Sequence, residues 1–427
     1  MRYALVNAVL LDGTENMEPR RRMSLLVEDG KIASISGDEC RFGNVKTIDL
    51  EGRYLMPGLI NLHVHLPGSG MPNYTKKQNA KTVNLLMSNI VTRTAVYALC
   101  YKFARTELMS GVTTIRTVGG LRNIDSRIRD DIDRGRLIGP RILASNMAVS
   151  VPGGHMAGVL AYEAKNEDEC REYVRKIAED KPDLIKIMVT GGVLDAKVRG
   201  EPGELKMSPE LIRACCEEAH RLGFKVAAHV ESPAGMKAAL ENGVDTIEHG
   251  AAADEELIEL FKKHNAAQVC TISPAVPCAE FPMEIAHTTE LTKFNGKIVM
   301  DGIIDCAKKT LSAGVPVGLG TDTACPFVTH YDMWRELAYF KKYVGVTNAF
   351  ALHTATLMNA RIGGIDKETG SIEVGKYADF LITEGDPLES LSALRSPYMV
   401  VMRGRVIKNP RVRKFDYVEA ELDKMYD

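Results

Sequence analysis

The sequence predicts an α/β chain: a (β/α)8 TIM barrel with a small β-sandwich-like domain formed from both chain ends. Three observations carry this. Eight apolar runs of strand length recur through the middle of the 427 residues. Most are followed by a turn and an amphipathic helical pattern, and strands that alternate with helices pair in parallel and close into a barrel. The two ends differ: they alternate apolar and polar residues with period two and are punctuated by Asp-Gly turns.

The elements follow in order. YALVNAVLLDG, SLLVEDGKIASISG and VKTIDLEGRYLMPG give short strands, and GSIEVGKYADFLIT and YMVVMRGRVIKNP repeat that texture at the far end. A small β domain from residues 1–55 and 366–415 is therefore expected beside a barrel of residues 56–365. The barrel runs are Leu59–Val64, Thr113–Val118, Arg141–Ala144, Leu184–Val189, Lys225–Val230, Thr246–Glu248, Ala266–Ile272 and Val315–Gly320. Between them, SPELIRACCEEAHRLG places Leu211, Cys215, Ala219 and Leu222 on one helix face behind an N-cap at Ser208. The alternative is an open doubly wound sheet, but no glycine-rich dinucleotide fingerprint follows the first run. The charged tail, residues 416–427, reads as a peripheral helix.

Composition narrows the function. Hydrophobic residues at 45% and charged residues at 26% are the mix of an ordinary globular enzyme. A net charge of −2 gives no footprint for nucleic acid and no reason to expect a membrane surface. No apolar stretch approaches the roughly 20 residues that span a bilayer. The opening MRYALVNAVLLDG carries Asp12 and lacks a signal peptide's cleavage region. Nine scattered cysteines without a CxxC pair read as reduced thiols. A cytoplasmic enzyme with a small-molecule substrate is the expectation. A homo-oligomer is compatible with the sequence, which carries no interface signature.

Catalytic groups of such a barrel sit at the C-terminal ends of its strands. Ligand-type residues stand at five of these positions: His63-Val64-His65, Lys186, His229, His249 and Asp322. Residues i and i+2 of a strand point the same way, so His63 and His65 can grip one ion. A lone HxH is as readily two packed core histidines. The order HxH, Lys, His, His, Asp at five strand ends is hard to explain by packing.

MPGLINLHVHLPG, IEHG and GLGTD resemble the first-, sixth- and eighth-strand signatures of the amidohydrolase superfamily, and the resemblance covers nearly the whole chain. In binuclear members a carboxylated lysine bridges two divalent ions, usually zinc. The resemblance implies one ion on His63, His65 and Asp322, a second on His229 and His249, and a carboxylated Lys186 between them. It also implies hydroxide formed on the metals as nucleophile, with Asp322 as general base. An unmodified ammonium at Lys186 would be repelled by two dications, whereas a carbamate is an anionic oxygen donor; a plain buried lysine would need a carboxylate partner.

DLIKIMVTGGVL, SNMAVSVPGGHM and VAAHVESPAGMKAALENGVDTIEHG further resemble the prolidase-like branch of Xaa-Pro dipeptidases and zinc carboxypeptidases. That implies cleavage of a C–N amide bond in dipeptides or N-acyl amino acids. A cyclic-amide hydrolase or a deaminase is the alternative, although deaminase-type relatives commonly use one metal and lack the bridging lysine. A non-catalytic scaffold would be missing a ligand, and all six are present.

Four residues are candidates for touching substrate. His155 can bond a substrate oxygen or cap backbone. Gly192 can offer its amide to a carboxylate or form a plain turn. Glu231, two past His229, either faces the pocket and favours a basic side chain or free amine, or starts a helix. His330 falls in the loop after the eighth run. The polar segment Gly68–Lys81 is expected to close over the site as a lid, and Cys325-Pro326-Phe327 departs from the branch's glycine-rich stretch.

Overall fold

The structure, a computed structural model, describes residues 1–37, 43–72 and 80–426. Two compact units are present: Met1–Asn61 with Ala104–Ile115 and His330–Asp427, and Leu62–Phe103 with Arg116–Thr329. The chain opens with β1 (Arg2–Leu10), β2 (Arg20–Glu28), β3 (Lys31–Ser36), β4 (Lys46–Asp49) and β5 (Tyr54–Pro57). Next come β6 (Leu59–Val64), β7 (Val112–Thr117), β8 (Arg141–Leu143), β9 (Ala148–Ser150) and β10 (Ala161–Glu163). They are followed by β11 (Leu184–Met188), β12 (Lys225–Val230), β13 (Thr246–His249), β14 (Ala267–Cys270) and β15 (Val317–Leu319). The far end adds β16 (Phe380–Thr383), β17 (Met399–Met402) and β18 (Arg405–Lys408).

Both chain ends enter one mixed sheet of order β18-β17-β16-β5-β1-β2-β3, with β4 also on β1. The branch lies in β1. Tyr3–Val6 pair with β4, whereas Val9 and Leu10 pair with β5. Between them Asn7 takes a φ of 58°, a left-handed conformation that asparagine tolerates well. The register shift at that point bends β1, so the sheet wraps one core containing Tyr3, Leu5, Leu25, Val27 and Phe380.

The barrel strands fall where the apolar runs predict. β6, β7 and β8 form one sheet, and the second has the order β10-β9-β11-β12-β13-β14-β15, all parallel. The third run is split: it resumes after β8 as β9, which pairs with β11 through Val149 and Ile187. The circle closes where the Asp322 N–H donates to the His63 carbonyl at 2.8 Å. Glycine is required at this seam, because a Cβ on Gly320 would lie 2.6 Å from the His63 nitrogen.

Alternation along β11 sorts its side chains. Ile185, Ile187 and Val189 join the outer core with Ile212 and Cys215 of the 209–221 helix. Leu184 packs inward on Val118 and Ala227, and Met188 on Ala148 and Ala161. Lys186 therefore stands between two inner layers. The 209–221 helix does begin after Ser208, but the Ser208 hydroxyl makes no capping bond.

Half of the expected lid, residues 73–79, lies outside the described residues. Just before them, Gly70 accepts a hydrogen bond from the Phe327 N–H at 2.8 Å. Among the described residues no helix is long and apolar enough to cross a membrane.

The C-terminal helix, Asp416–Tyr426, is docked rather than peripheral. Val418 and Leu422 are buried, and Glu419 and Asp423 receive Arg335 at 3.2 and 2.8 Å and Arg395 at 2.6 and 2.8 Å. Burial alone would raise both carboxyl groups, but the two guanidinium groups hold them below the usual carboxylate range. Depressed folded-state values mean this contribution is present above the ordinary carboxylate range, near pH 4, and is lost as pH falls through the folded values. Glu419→Ala leaves the buried Arg335 short of a partner. It should cost roughly 3 kcal/mol in urea unfolding at pH 7. A change below about 0.5 kcal/mol, the size of an ordinary surface substitution, would contradict the role given to this pair.

Candidate active site

Each ligand-type residue singled out in the sequence stands on a barrel strand or just past its end. His63 lies on β6 and His65 just past it, Lys186 on β11, His229 on β12, His249 on β13, and Asp322 three residues past β15. All six belong to the second compact unit. The His63 and His249 ring centroids are 4.8 Å apart, those of His229 and His249 are 4.7 Å apart, and His63 and His65 are 5.3 Å apart. The Asp322 Oδ1 faces both first-strand histidines, 3.4 Å from His63 Nε2 and 3.2 Å from His65 Nε2.

The outer nitrogen of every ring is already engaged, which fixes where its lone pair points. His63 Nδ1 donates to Glu248 Oε2 at 2.7 Å, and His65 Nδ1 donates to the Gly119 carbonyl at 2.8 Å. His249 Nδ1 is bonded to Thr271 Oγ1 at 2.7 Å. His229 Nε2 lies 3.4 Å from the Gly191 carbonyl. That leaves Nε2 of His63, His65 and His249 and Nδ1 of His229 as the inward ligand atoms. Donor atoms of His63, His249 and Asp322 lie within 4.8 Å of one another, as do those of His229, Glu231 and His249.

Electrostatics match this geometry. Burial lowers His63 to about 4, against the pull of Asp322. Burial likewise pushes His229 and His249 well below the usual histidine value, so these rings are neutral donors. Asp322 is also buried, yet His63 and His65 hold it well below the usual carboxylate range. Lys186 is 1% exposed, and burial lowers its amine to about 8 although Glu248 and Asp322 favour its charge. Its Nζ is buried with no hydrogen-bond partner among the described residues. The expectation of a plain lysine paired with a carboxylate is thus not met.

Two backbone features complete the cluster. His249 has φ 66° and Asp322 φ 58°, both in the left-handed region where a side chain other than glycine or asparagine is strained by about 1–3 kcal/mol. In regular strand geometry His249 would point away from Glu248's side; the left-handed turn brings both into the interior. Glu248 is fully buried, accepting from Arg116 Nη2 at 2.6 Å, Thr246 Oγ1 at 2.7 Å and His63. Burial would raise Glu248, but Arg116 and His63 hold it far below the usual range.

The substrate candidates separate. His155 stacks on His229 with centroids 4.2 Å apart and planes 8° apart, and its Nδ1 donates to Asp195 Oδ2 at 2.6 Å. The Gly192 amide is not free for a ligand: it donates to Asp195 Oδ2 at 3.0 Å, and Gly191 N–H donates to the Glu204 carbonyl. Gly192 instead makes room, since a Cβ there would lie 2.9 Å from the His155 ring. Glu231 joins the cluster, with Oε2 buried and unpartnered. Burial raises its carboxyl to about 8. His330 belongs to the first unit, where it is buried with Nδ1 3.2 Å from Glu107 Oε1. Cys325, in the loop that departs from the prolidase-like pattern, donates its thiol to Asp322 Oδ2 at 3.4 Å.

Glu248, Arg116, Asp195 and Thr271 are site residues that pattern reading passes over. IEHG contains Glu248, but period two assigns only one of Glu248 and His249 to the interior. Nothing local distinguishes Arg116, Asp195 or Thr271.

Comparison with known proteins places the chain in a family. Residues 54–408 match the model of the amidohydrolase family. The chain is 27% identical over 429 residues to ochratoxinase of Aspergillus niger, covering 92% of this chain and 85% of that one. A prolidase-like protein from Bifidobacterium longum superposes with a TM-score of 0.88 at 36% identity, over 100% of this chain and 99% of that one. A Xaa-Pro dipeptidase with methionine bound in its active site superposes with a TM-score of 0.80 at 28% identity, over 96% and 100%. With its barrel, its strand-end cluster and a family match across most of its length, the chain belongs to the amidohydrolase family, among the prolidase-like enzymes that hydrolyse C–N bonds.

Proposed function

We propose that the protein is a binuclear metal-dependent hydrolase of dipeptides or N-acyl amino acids. The observation that carries this reading is the buried, unpartnered Lys186 Nζ among neutral histidine donors and Asp322. A lone amine in that setting is poorly solvated as a cation, and its depressed pKa leaves neutral nitrogen able to take up carbon dioxide. Converted to a carbamate with release of a proton, Lys186 would supply two oxygens sharing one negative charge to the centre. His63, His65 and Asp322 would then hold one divalent ion, His229 and His249 the other, and Lys186 both; nitrogen and oxygen donors without thiolate suit zinc. Ions bound there would lower the pKa of a shared water toward about 7 and polarise the scissile carbonyl.

The chain's own groups do the rest. Asp322 accepts the proton of the attacking water and returns it to the departing amine. Asp195 holds the His155 ring through Nδ1, which leaves Nε2 as the ring atom that meets substrate. Glu248 fixes the His63 ring without itself meeting substrate.

Three measurements test this reading. Metal analysis of protein grown without chelators should give two divalent ions per chain, with free amino acid released from a mixed library of dipeptides and N-acyl amino acids; one ion, or no amide cleaved, would move the assignment to deamination or ring opening. Glu248→Gln should weaken metal affinity about 10- to 100-fold, read by competition with a chromogenic chelator, and unchanged affinity would remove its orienting role. Lys186→Met removes a buried amine without a partner. It should raise the stability of the metal-free protein by about 1 kcal/mol while abolishing two-ion binding, and a stability loss would mean the amine is satisfied in the fold.

A further inference from the structure

We propose that Glu231 reads the free α-amino group of the substrate, so that the enzyme is a dipeptidase that discriminates against N-acyl amino acids. The inference rests on the amide-hydrolase reading above and narrows it to one of its two substrate classes.

Four observations converge. Glu231 follows His229 by two residues, and its carboxyl oxygen lies within 4.8 Å of the ligand atoms of His229 and His249. Its Oε2 is buried and has no hydrogen-bond partner among the described residues, while the Val193 N–H bonds the carboxyl group. The backbone beneath it is fixed: Glu231 N–H donates to Thr190 Oγ1 at 3.1 Å, and Gly203 packs so closely that a Cβ there would lie 2.5 Å from the Glu231 carbonyl carbon. The charged groups acting on it, Asp322 and Asp195, are both acidic. Glu231 thus holds a carboxyl oxygen with no partner among the described residues beside the histidine cluster, and a cationic N–H donor is the group that would favour its ionised form against the burial that raises it.

Reach decides which cation. The scissile carbonyl must approach the histidine cluster, and Glu231 stands beside that cluster. An α-ammonium lies about 2.5 Å from its own carbonyl carbon, from standard bond lengths and angles. The ammonium of a lysine side chain sits at the end of a four-carbon stem and would overshoot a carboxylate so near the reacting centre. An N-acyl amino acid has no group to offer, so binding it would leave the buried oxygen unpaired, the situation in which sites reject a substrate lacking a hydrogen-bonding group most strongly.

The test uses metal-loaded full-length protein and matched pairs that differ only in the amine: Ala-Xaa dipeptides against N-propionyl-Xaa, across a panel of Xaa. Wild type should favour the dipeptide by about 100-fold or more in kcat/KM. Glu231→Gln should shrink that preference below about 10-fold, mainly through a higher KM for the dipeptide, while still holding two ions per chain. Equal cleavage of both series by wild type would overturn the proposal, as would a variant that keeps the preference. Loss of an ion from Glu231→Gln would also overturn it, by making Glu231 a metal ligand. Cleavage of the N-propionyl series alone would sink the proposal but leave the amide-hydrolase reading standing; cleavage of neither series would sink both.

Discussion

The Glu248 carboxylate accepts from Arg116 on β7 at 2.6 Å and from His63 on β6 at 2.7 Å, and so ties three strands together across the barrel interior. Arg116 is anchored in turn by its Nε, which donates to the Leu62 carbonyl at 2.7 Å. A buried carboxylate is tolerable only when its charge is matched and its lone pairs are filled; here a guanidinium, a hydroxyl and an imidazole do both. The consequence for chemistry is directional. With Nδ1 committed to Glu248, His63 presents Nε2 inward, toward Asp322.

Strain and closure set the rest of the geometry. His249 and Asp322 both hold left-handed backbone conformations, and each is retained by bonds around it. Gln268 Nε2 donates to the His249 carbonyl at 2.8 Å, while the Asp322 N–H closes the barrel on His63. Such outliers persist only where the surroundings over-determine them, and they concentrate where side chains must be aimed at something. What they aim at here is a common space shared by four histidines, Asp322 and an amine with no partner of its own.

Much of this was legible in the sequence. Apolar runs separated by helical patterns give the barrel strands nearly residue for residue, because an inward and an outward core both demand apolar side chains. Strand ends locate the ligand-type residues because the fold puts them there. Three things were not legible. Period two cannot place Glu248 and His249 on the same side, since only the left-handed turn at His249 does so. The Gly192 amide is spent on Asp195 only three residues on, where the sequence leaves a turn and a ligand amide equally open. Local sequence cannot tell that His330 is committed to Glu107, because that partner is remote in the chain. The charged tail reads as peripheral for the same reason: its partners, Arg335 and Arg395, lie far upstream.

The central claim is that the strand-end cluster is a two-metal centre bridged through Lys186. Anomalous X-ray scattering at the zinc edge, from crystals grown with zinc and bicarbonate, tests it most directly. The account predicts two peaks, one among His63, His65 and Asp322 and one between His229 and His249, with density joining Lys186 to both. A single peak, or two peaks with Lys186 unmodified and apart from them, would contradict it.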